Sequence, residues 1–331
     1  QATLTRVIAL IKQSRRPVIL AGNGIRLSGA INEFLDLIDK LKIPVLTSRR
    51  GADILPNDNA FFMGRPGTYG QRSANFIIQN CDLLISIGSR LSIPLVGRNT
   101  RAFAREAFKI VVDVDLSELS KSTIEPDLPI FMDAGEFIRQ TLALIPDEMP
   151  NITSWIERCH IWRSKFPPDH FDIQNDTIKS DGIESISPMS IIKWLSKHLS
   201  ENDVIVVDGG AALIYTLLGF EFKLGQRLIS STGLELPGFA VAGSIGSCFA
   251  NNRSEIICIC EDRGFQLSIQ DLQTILDYQL PIKILVINSR GHSIIRNIQR
   301  DYFGGRFVGT DHEILVESVS PSKIADTLGF L

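Results

Sequence analysis

The sequence has little that would staple it, embed it or charge it strongly. Five cysteines are spread over 331 residues. Cys81, Cys159, Cys248, Cys258 and Cys260 form no metal-ligand spacing and no even disulfide framework. Cys258 and Cys260 stand two apart in an apolar run, so on a strand they share a face and read as small core residues. An odd, unpatterned set fits a reducing compartment and points to the cytoplasm. No apolar run is long enough for a bilayer; the longest, residues 238–250, is short and rich in glycine. The opening residues show an amphipathic helical pattern with Lys and Arg on the polar side, not a secretory signal. Concentrated basic charge is also lacking. Against 34 Lys and Arg stand 37 Asp and Glu, a formal net charge of −3. That balance argues against a nucleic-acid partner, which needs a basic face. The arginines from Arg72 to Arg105 have acids near them and read as solvated surface.

What remains is an ordinary globular composition, 44% hydrophobic and 21% charged, at a length that suggests about two domains. Residues 1–150 alternate strand and helix. Continuous apolar runs at Pro17–Ala21, Ile43–Thr47, Asp82–Gly88 and Lys109–Val114 read as strands covered on both faces. Helical patterns lie between them at Leu27–Leu41 and Gly70–Asn80. A connecting helix and a polar linker follow over 151–186, with the stretch His170–Pro188 richest in turn formers. From 187 to 331 the alternation resumes. Ser187 and Pro188 open a helix over Met189–Leu199. Strands are expected at Asp203–Val207, Arg227–Ser230, Glu255–Cys260 and Ile282–Ile287, and helices at Phe239–Ala250, Ile269–Leu276 and Pro321–Leu328. Strand-helix alternation of this kind predicts two doubly wound parallel-sheet (Rossmann-like) domains. The chain starts directly on a helix and stops just past one, so a fragment truncated at its C-terminus is expected.

The most informative stretch runs from Cys260 to Arg296. A strand ends in an acidic turn, Glu261-Asp262-Arg263-Gly264, an amphipathic helix follows, and a second apolar strand closes on Asn288-Ser289-Arg290-Gly291. Parallel strands joined this way bring Asp262 and the Ser289–Gly291 turn together at the carboxyl edge of the sheet, where open α/β sheets bind ligands. A carboxylate, a polar side chain and a loop carbonyl make a hard-oxygen set suited to Mg²⁺ or Ca²⁺, and Mg²⁺ usually brings a phosphate with it. Upstream, Asp208-Gly209-Gly210-Ala211-Ala212 ends a strand and opens a helix, and its glycines permit close backbone approach by an anion.

These residues resemble the signature of thiamine diphosphate-dependent enzymes of the acetolactate synthase-like group, which opens Gly-Asp-Gly and closes Asn-Asn. The match covers Phe265-Gln266, Leu280-Pro281, the strand Ile282–Ile287, Gly291 and Ile295-Arg296. It departs at Glu261, Arg263 and Ser289. Residues 64–92 resemble the middle domain of the same enzymes. The resemblance implies a central domain followed by the diphosphate-binding domain, thiamine diphosphate and Mg²⁺ as cofactors, and a 2-keto acid as substrate for decarboxylation and carboligation. It also implies a homodimer or homotetramer. Carried over by position, Asp262, Ser289 and Gly291 would hold the metal. Gly210, Ala211, Arg263 and Gly264 would meet the diphosphate, with His292 lining the pocket. Leu267 would wedge the cofactor into a bent form, and the loop containing Leu236 would lie beneath its pyrimidine ring. The glutamate that activates the cofactor belongs to an N-terminal pyrimidine domain, so no catalytic residue is assigned in this chain, which by itself is expected to be inactive.

Two other readings stand beside this one. The altered motif also suits a non-catalytic homologue that keeps the fold and acts as an assembly or binding module. The turn Gly22-Asn23-Gly24 could cradle a nucleotide in an oxidoreductase, but it lacks the full glycine spacing and the acid that would bind a ribose. A tight strand-to-helix turn is preferred there. FAD in the middle domain is carried as an option and not favoured, because Arg65, Arg90 and Asp115 read more simply as a salt-bridged sheet edge.

Overall fold

In a computed structural model, the described residues are 1–168, 177–180, 183–288, 293–310 and 320–330. The chain divides into two compact units, one of residues 1–176 with Leu217–Leu224, the other of residues 177–216 with 225–331. Each is built on its own parallel sheet. No helix among the described residues is long and apolar enough to cross a membrane.

The first unit holds five parallel strands, β1 (Pro17–Ala21), β2 (Val45–Thr47), β3 (Leu83–Ile87), β4 (Phe108–Asp113) and β5 (Leu128–Phe131), in the order β2-β1-β3-β4-β5. Every residue of β1 and β3 is buried, as continuous apolar runs require when both faces are covered. Alternate residues of β1 serve opposite cores: Ile19 and Ala21 join one cluster, Val18 and Leu20 the other. The helix Ile31–Leu41 buries Phe34, Leu37, Ile38 and Leu41, one stripe at helical spacing. The helix Thr153–Lys165 buries Trp155 and Cys159 in the second cluster, and the Trp155 indole N–H donates to the Pro17 carbonyl at 3.1 Å. Burial pushes the Cys81 and Cys159 thiols up to about 12, which leaves them un-ionised and inert at neutral pH.

The switch point of this sheet lies between β1 and β3, and both glycine turns meet there. Gly24 N–H donates to the Gly88 carbonyl at 3.0 Å. A Cβ on Gly24 would stand 2.6 Å from the Gly88 Cα, and one on Gly22 would overlap the Gly88 carbonyl. Backbone packed on backbone therefore accounts for Gly22 and Gly24 without a ligand. At the sheet edge Arg90 pairs with Glu118 at 2.7 Å, and Asp115 caps a one-turn helix through the Ser117 N–H at 2.8 Å.

Arg65 departs from the edge position expected for it. It is 2% exposed and donates to the Leu217 carbonyl at 3.1 Å and to Asn57 Oδ1 at 2.9 Å. Its guanidinium lies 5.3 Å from the Phe62 ring and 5.0 Å from the Phe222 ring. The Asn57 N–H donates to the Phe222 carbonyl at 2.9 Å, so the same knot holds both ends of the segment. Burial pulls the Arg65 pKa down to about 9, which still leaves a cation at neutral pH.

The second unit holds β8 (Val204–Val207), β9 (Arg227–Ser230), β10 (Ile256–Glu261) and β11 (Ile282–Ile287), all parallel, in the order β11-β10-β8-β9. Its core gathers Val206, Val241, Cys248, Cys258, Cys260 and Phe265 with their neighbours. Three expectations need correction. A fifth strand of the first sheet, β5, was not foreseen. Within the stretch read as a linker, β6 (Thr177–Ser180) and β7 (Ile183–Ile186) form an antiparallel hairpin. The acidic turn after β10 is itself a short helix, Asp262–Leu267, and the amphipathic helix beyond it begins as a 3-10 turn, Ile269–Asp271, before Leu272–Asp277.

Replacing Arg65 strands several buried carbonyl acceptors. Arg65→Ala is expected to destabilise the first unit by about 3 kcal/mol. Arg65→Lys recovers only part of this, because an ammonium cannot reproduce the fork. Urea unfolding followed by fluorescence checks both.

Candidate functional site

The strand order β11-β10-β8-β9 reverses direction between β8 and β10, and open α/β sheets bind ligands at such a switch point. Two helices begin at this crevice, Ala211–Gly219 after β8 and Phe239–Ala250 before β10. Each leaves unpaired N–H groups at its start. Two carboxylates satisfy them in a crossed arrangement.

Asp208, 1% exposed at the end of β8, accepts from the Gly238, Phe239 and Ala240 N–H groups at 3.0, 2.9 and 3.3 Å. Glu261, the last residue of β10, accepts through Oε1 from Ala211 N–H at 2.5 Å and Ala212 N–H at 3.3 Å. Each strand thus caps the helix that belongs to its neighbour. Burial raises the pKa of both acids, and the backbone hydrogen bonds oppose that rise. For Glu261 the nearby Asp262 and Asp208 add to the upward push.

The caps explain the glycines around them. Gly210 sits at φ +92°, and a Cβ there would stand 2.5 Å from Glu261 Oε1. A Cβ on Gly264 would overlap the Asp208 carboxylate, and one on Gly209 the Glu235 carbonyl. The loop 231–238 is folded on Ser231, whose Oγ accepts from the Leu236 N–H at 3.0 Å. Its far end is pinned by Ser268, which donates to the Gly238 carbonyl at 2.5 Å.

The structure therefore brings together most of the residues expected at the site. Asp262 is fully buried at the start of its helix. Arg263 is half-buried, and its Nε has no hydrogen-bond partner among the described residues. Leu267 is 62% exposed beside the Gly238 backbone, and Leu236 in the adjoining loop is 57% exposed. Ser289, Gly291 and His292 lie outside the described residues. Among the described residues no cluster of three or more His, Cys, Asp or Glu could hold a metal ion. Asp208 had no role in the sequence reading. An acid closing a strand before Gly-Gly was visible there, but its partners come thirty residues later, beyond β9.

Thiamine diphosphate and Mg²⁺ can be tested against this donor set. The two N–H groups at the start of the Ala211–Gly219 helix already receive an anionic oxygen, so they suit a diphosphate. Gly210 lacks the side chain that would block its approach, and the exposed leucines offer apolar surface alongside. The residues fit, with the Glu261 carboxylate seated at the anion end. Removing the Asp208 cap strands three N–H groups, so Asp208→Ala is expected to cost the second unit about 2–3 kcal/mol. Gly264→Ala should be comparably damaging through overlap with the same carboxylate. Chemical denaturation of each variant measures the loss.

Comparison with known proteins places this geometry. Residues 4–141 match the thiamine pyrophosphate enzyme central domain, and residues 208–331 match the thiamine pyrophosphate enzyme C-terminal TPP binding domain. The chain is 33% identical to a probable acetolactate synthase large subunit of Methanocaldococcus jannaschii, over 98% of this chain and 54% of that protein. It is 32% identical to the acetolactate synthase large subunit of Pyropia yezoensis, over 97% and 52% of the two chains. With that of Lactococcus lactis subsp. lactis the identity is 27%, over 92% and 51%. The chain spans about half the length of the relatives it matches. Two parallel-sheet units, a glycine-lined crevice at the second switch point and both domain matches agree: the chain belongs to the thiamine pyrophosphate enzyme family and carries its central domain and its C-terminal TPP binding domain.

Proposed function

We propose that this chain is the cofactor-binding part of a thiamine diphosphate- and Mg²⁺-dependent, acetolactate synthase-like enzyme acting on 2-keto acids, a lyase or transferase. The observation that carries the proposal is the seat at the start of the Ala211–Gly219 helix, where two N–H groups hold a negatively charged oxygen beside a glycine at φ +92°. Relatives named acetolactate synthase large subunit support the same reading.

Bound there, thiamine diphosphate supplies the carbanion-stabilising chemistry that side chains lack. The chain's own residues bind and orient. Ala211 and Ala212 would donate to the diphosphate and Gly210 would let it approach the backbone, while Gly264 makes room for the Asp208 carboxylate beside it. Arg263 adds a cation. Asp262 provides a carboxylate for Mg²⁺, with the Ser289 hydroxyl and the Gly291 carbonyl completing a hard-oxygen set. Leu267 and Leu236 cover the organic part of the cofactor and keep water from it, and His292 lines the pocket. No residue of this chain is assigned the proton-transfer role. A cytoplasmic homodimer or homotetramer is the expected working form.

One observation favours a second reading. The Glu261 carboxylate already satisfies the diphosphate donors, as a non-catalytic homologue that serves as an assembly module would allow.

Calorimetry of the full chain with Mg²⁺ and thiamine diphosphate separates the two. Micromolar binding is expected, weakened at least about tenfold, or about 1.4 kcal/mol, in Asp262→Ala. An absence of binding sinks the enzyme reading and leaves the module. The chain alone should release no CO₂ from pyruvate, and measurable release would show that the proton-transfer group is present after all.

A further inference from the structure

The seat for the diphosphate is held by the chain itself. Glu261 closes β10, yet its carboxylate reaches across the crevice to the helix that follows β8, with Oε1 at 2.5 Å from Ala211 N and 3.3 Å from Ala212 N. The same oxygen stands 2.5 Å from the point where Gly210 would carry a Cβ. It therefore occupies the space that the missing side chain opens. The two N–H groups cannot serve this carboxylate and an incoming phosphoryl oxygen together. Nor can the crevice readily take another anion while Glu261 stays, because Asp208 and Asp262 lie close enough to Glu261 to act on its charge. Glu261 is only half-buried, so its side chain has a way out towards solvent, whereas Asp208 and Asp262 are enclosed.

We propose that Glu261 is an internal competitor for the diphosphate seat: its carboxylate keeps the start of the Ala211–Gly219 helix satisfied in the ligand-free chain, and a diphosphate binds only by displacing it. Glu261 then sets how tightly the cofactor is held, without touching the reacting atoms. This inference rests on the reading of that helix start as a diphosphate seat, and its test must be able to fail separately from the thiamine reading.

The experiment is calorimetry of the full chain, as wild type, Glu261→Ala and Glu261→Gln, with Mg²⁺ and either inorganic pyrophosphate or thiamine diphosphate. Glu261→Ala is expected to bind pyrophosphate at least about tenfold tighter than wild type. Glu261→Gln keeps an accepting oxygen but not the charge and should fall between them. A melting scan gives the second readout. Ligand-free Glu261→Ala should melt below wild type, because it has lost a cap, and saturating pyrophosphate should recover the difference. A purely structural role would lower the melting point without tightening binding. Equal or weaker pyrophosphate binding in both variants, or none in any form, overturns the inference. Tighter pyrophosphate binding with no thiamine diphosphate binding in any form keeps the inference and sinks the thiamine reading. Should Glu261→Ala fail to fold, the isosteric Glu261→Gln decides.

Discussion

Two helices that begin face to face at a sheet's switch point bring exposed N–H groups into one crevice, and something negative must lie between them. In the second unit the chain provides that charge from its own strand ends. β8 and β10 are hydrogen-bonded neighbours, with Val207 opposite Ile259, so the residues just beyond them are side by side. Asp208 and Glu261 leave these ends in opposite senses, each to the helix start on the other side. A hydrogen bond to a charged acceptor contributes about 1.5–3 kcal/mol. Five of them meet at one crevice. The crossing ties the strand order to both loops, and it dictates the glycines at 210 and 264.

The arrangement has a cost that shows in the acids themselves. Burial raises the pKa of Asp208 and of Glu261, so each charge is held less comfortably than in water. Only Glu261, half-buried at the rim, has room to leave its donors; Asp208 is enclosed and stays. What replaces Glu261 must bring more negative charge and its own cation, as a metal-bound diphosphate does. Any such ligand stabilises the folded chain by mass action, and the helix start then passes from an internal acceptor to an external one with its N–H groups never left bare.

The sequence made most of this fold legible, for physical reasons that differ from element to element. β1, β9 and β11 and the helices Phe239–Ala250 and Pro321–Leu328 appear with the expected limits, marked by an unbroken apolar run in β1, by mainly apolar stretches in β11 and Phe239–Ala250, and by a Ser-Pro start at Pro321. β5 escaped notice: it has four residues, a proline at its second position and an exposed Phe131, which is an edge strand with little hydrophobic signal. The hairpin of β6 and β7 lay in a polar stretch for the same reason. At the site, the strand-end acid, the glycines and the helix start at 208–212 were legible as a local strand-to-helix pattern, but the carboxylate that Ala211 N–H meets comes from Glu261, fifty residues on. The partners of Asp208 could not be read. Its hydrogen bonds run to Gly238–Ala240, thirty residues on, and it takes the tertiary pairing of β8 with its neighbouring strands to bring those residues near. Glu261 was visible as a departure from the motif; that it caps a helix was not.

The two units solve one geometric problem in two ways, and the difference bears on which of them can hold a ligand. Both place glycine turns at a switch point. In the first unit Gly22 and Gly24 close directly on Gly88, backbone against backbone, with a hydrogen bond from Gly24 N–H to the Gly88 carbonyl. An oxygen cannot enter there without parting two main-chain segments. In the second unit the glycines face side chains instead, Gly210 against Glu261 and Gly264 against Asp208. A side chain can rotate away at the cost of its hydrogen bonds, whereas a backbone contact yields only if a strand end or helix start moves. Glycine at a sheet edge is therefore ambiguous until its neighbour is known. Here main chain at Gly88 packs against the glycines of one crevice, and a half-buried carboxylate at Glu261, which a side-chain rotation can move, fills the other.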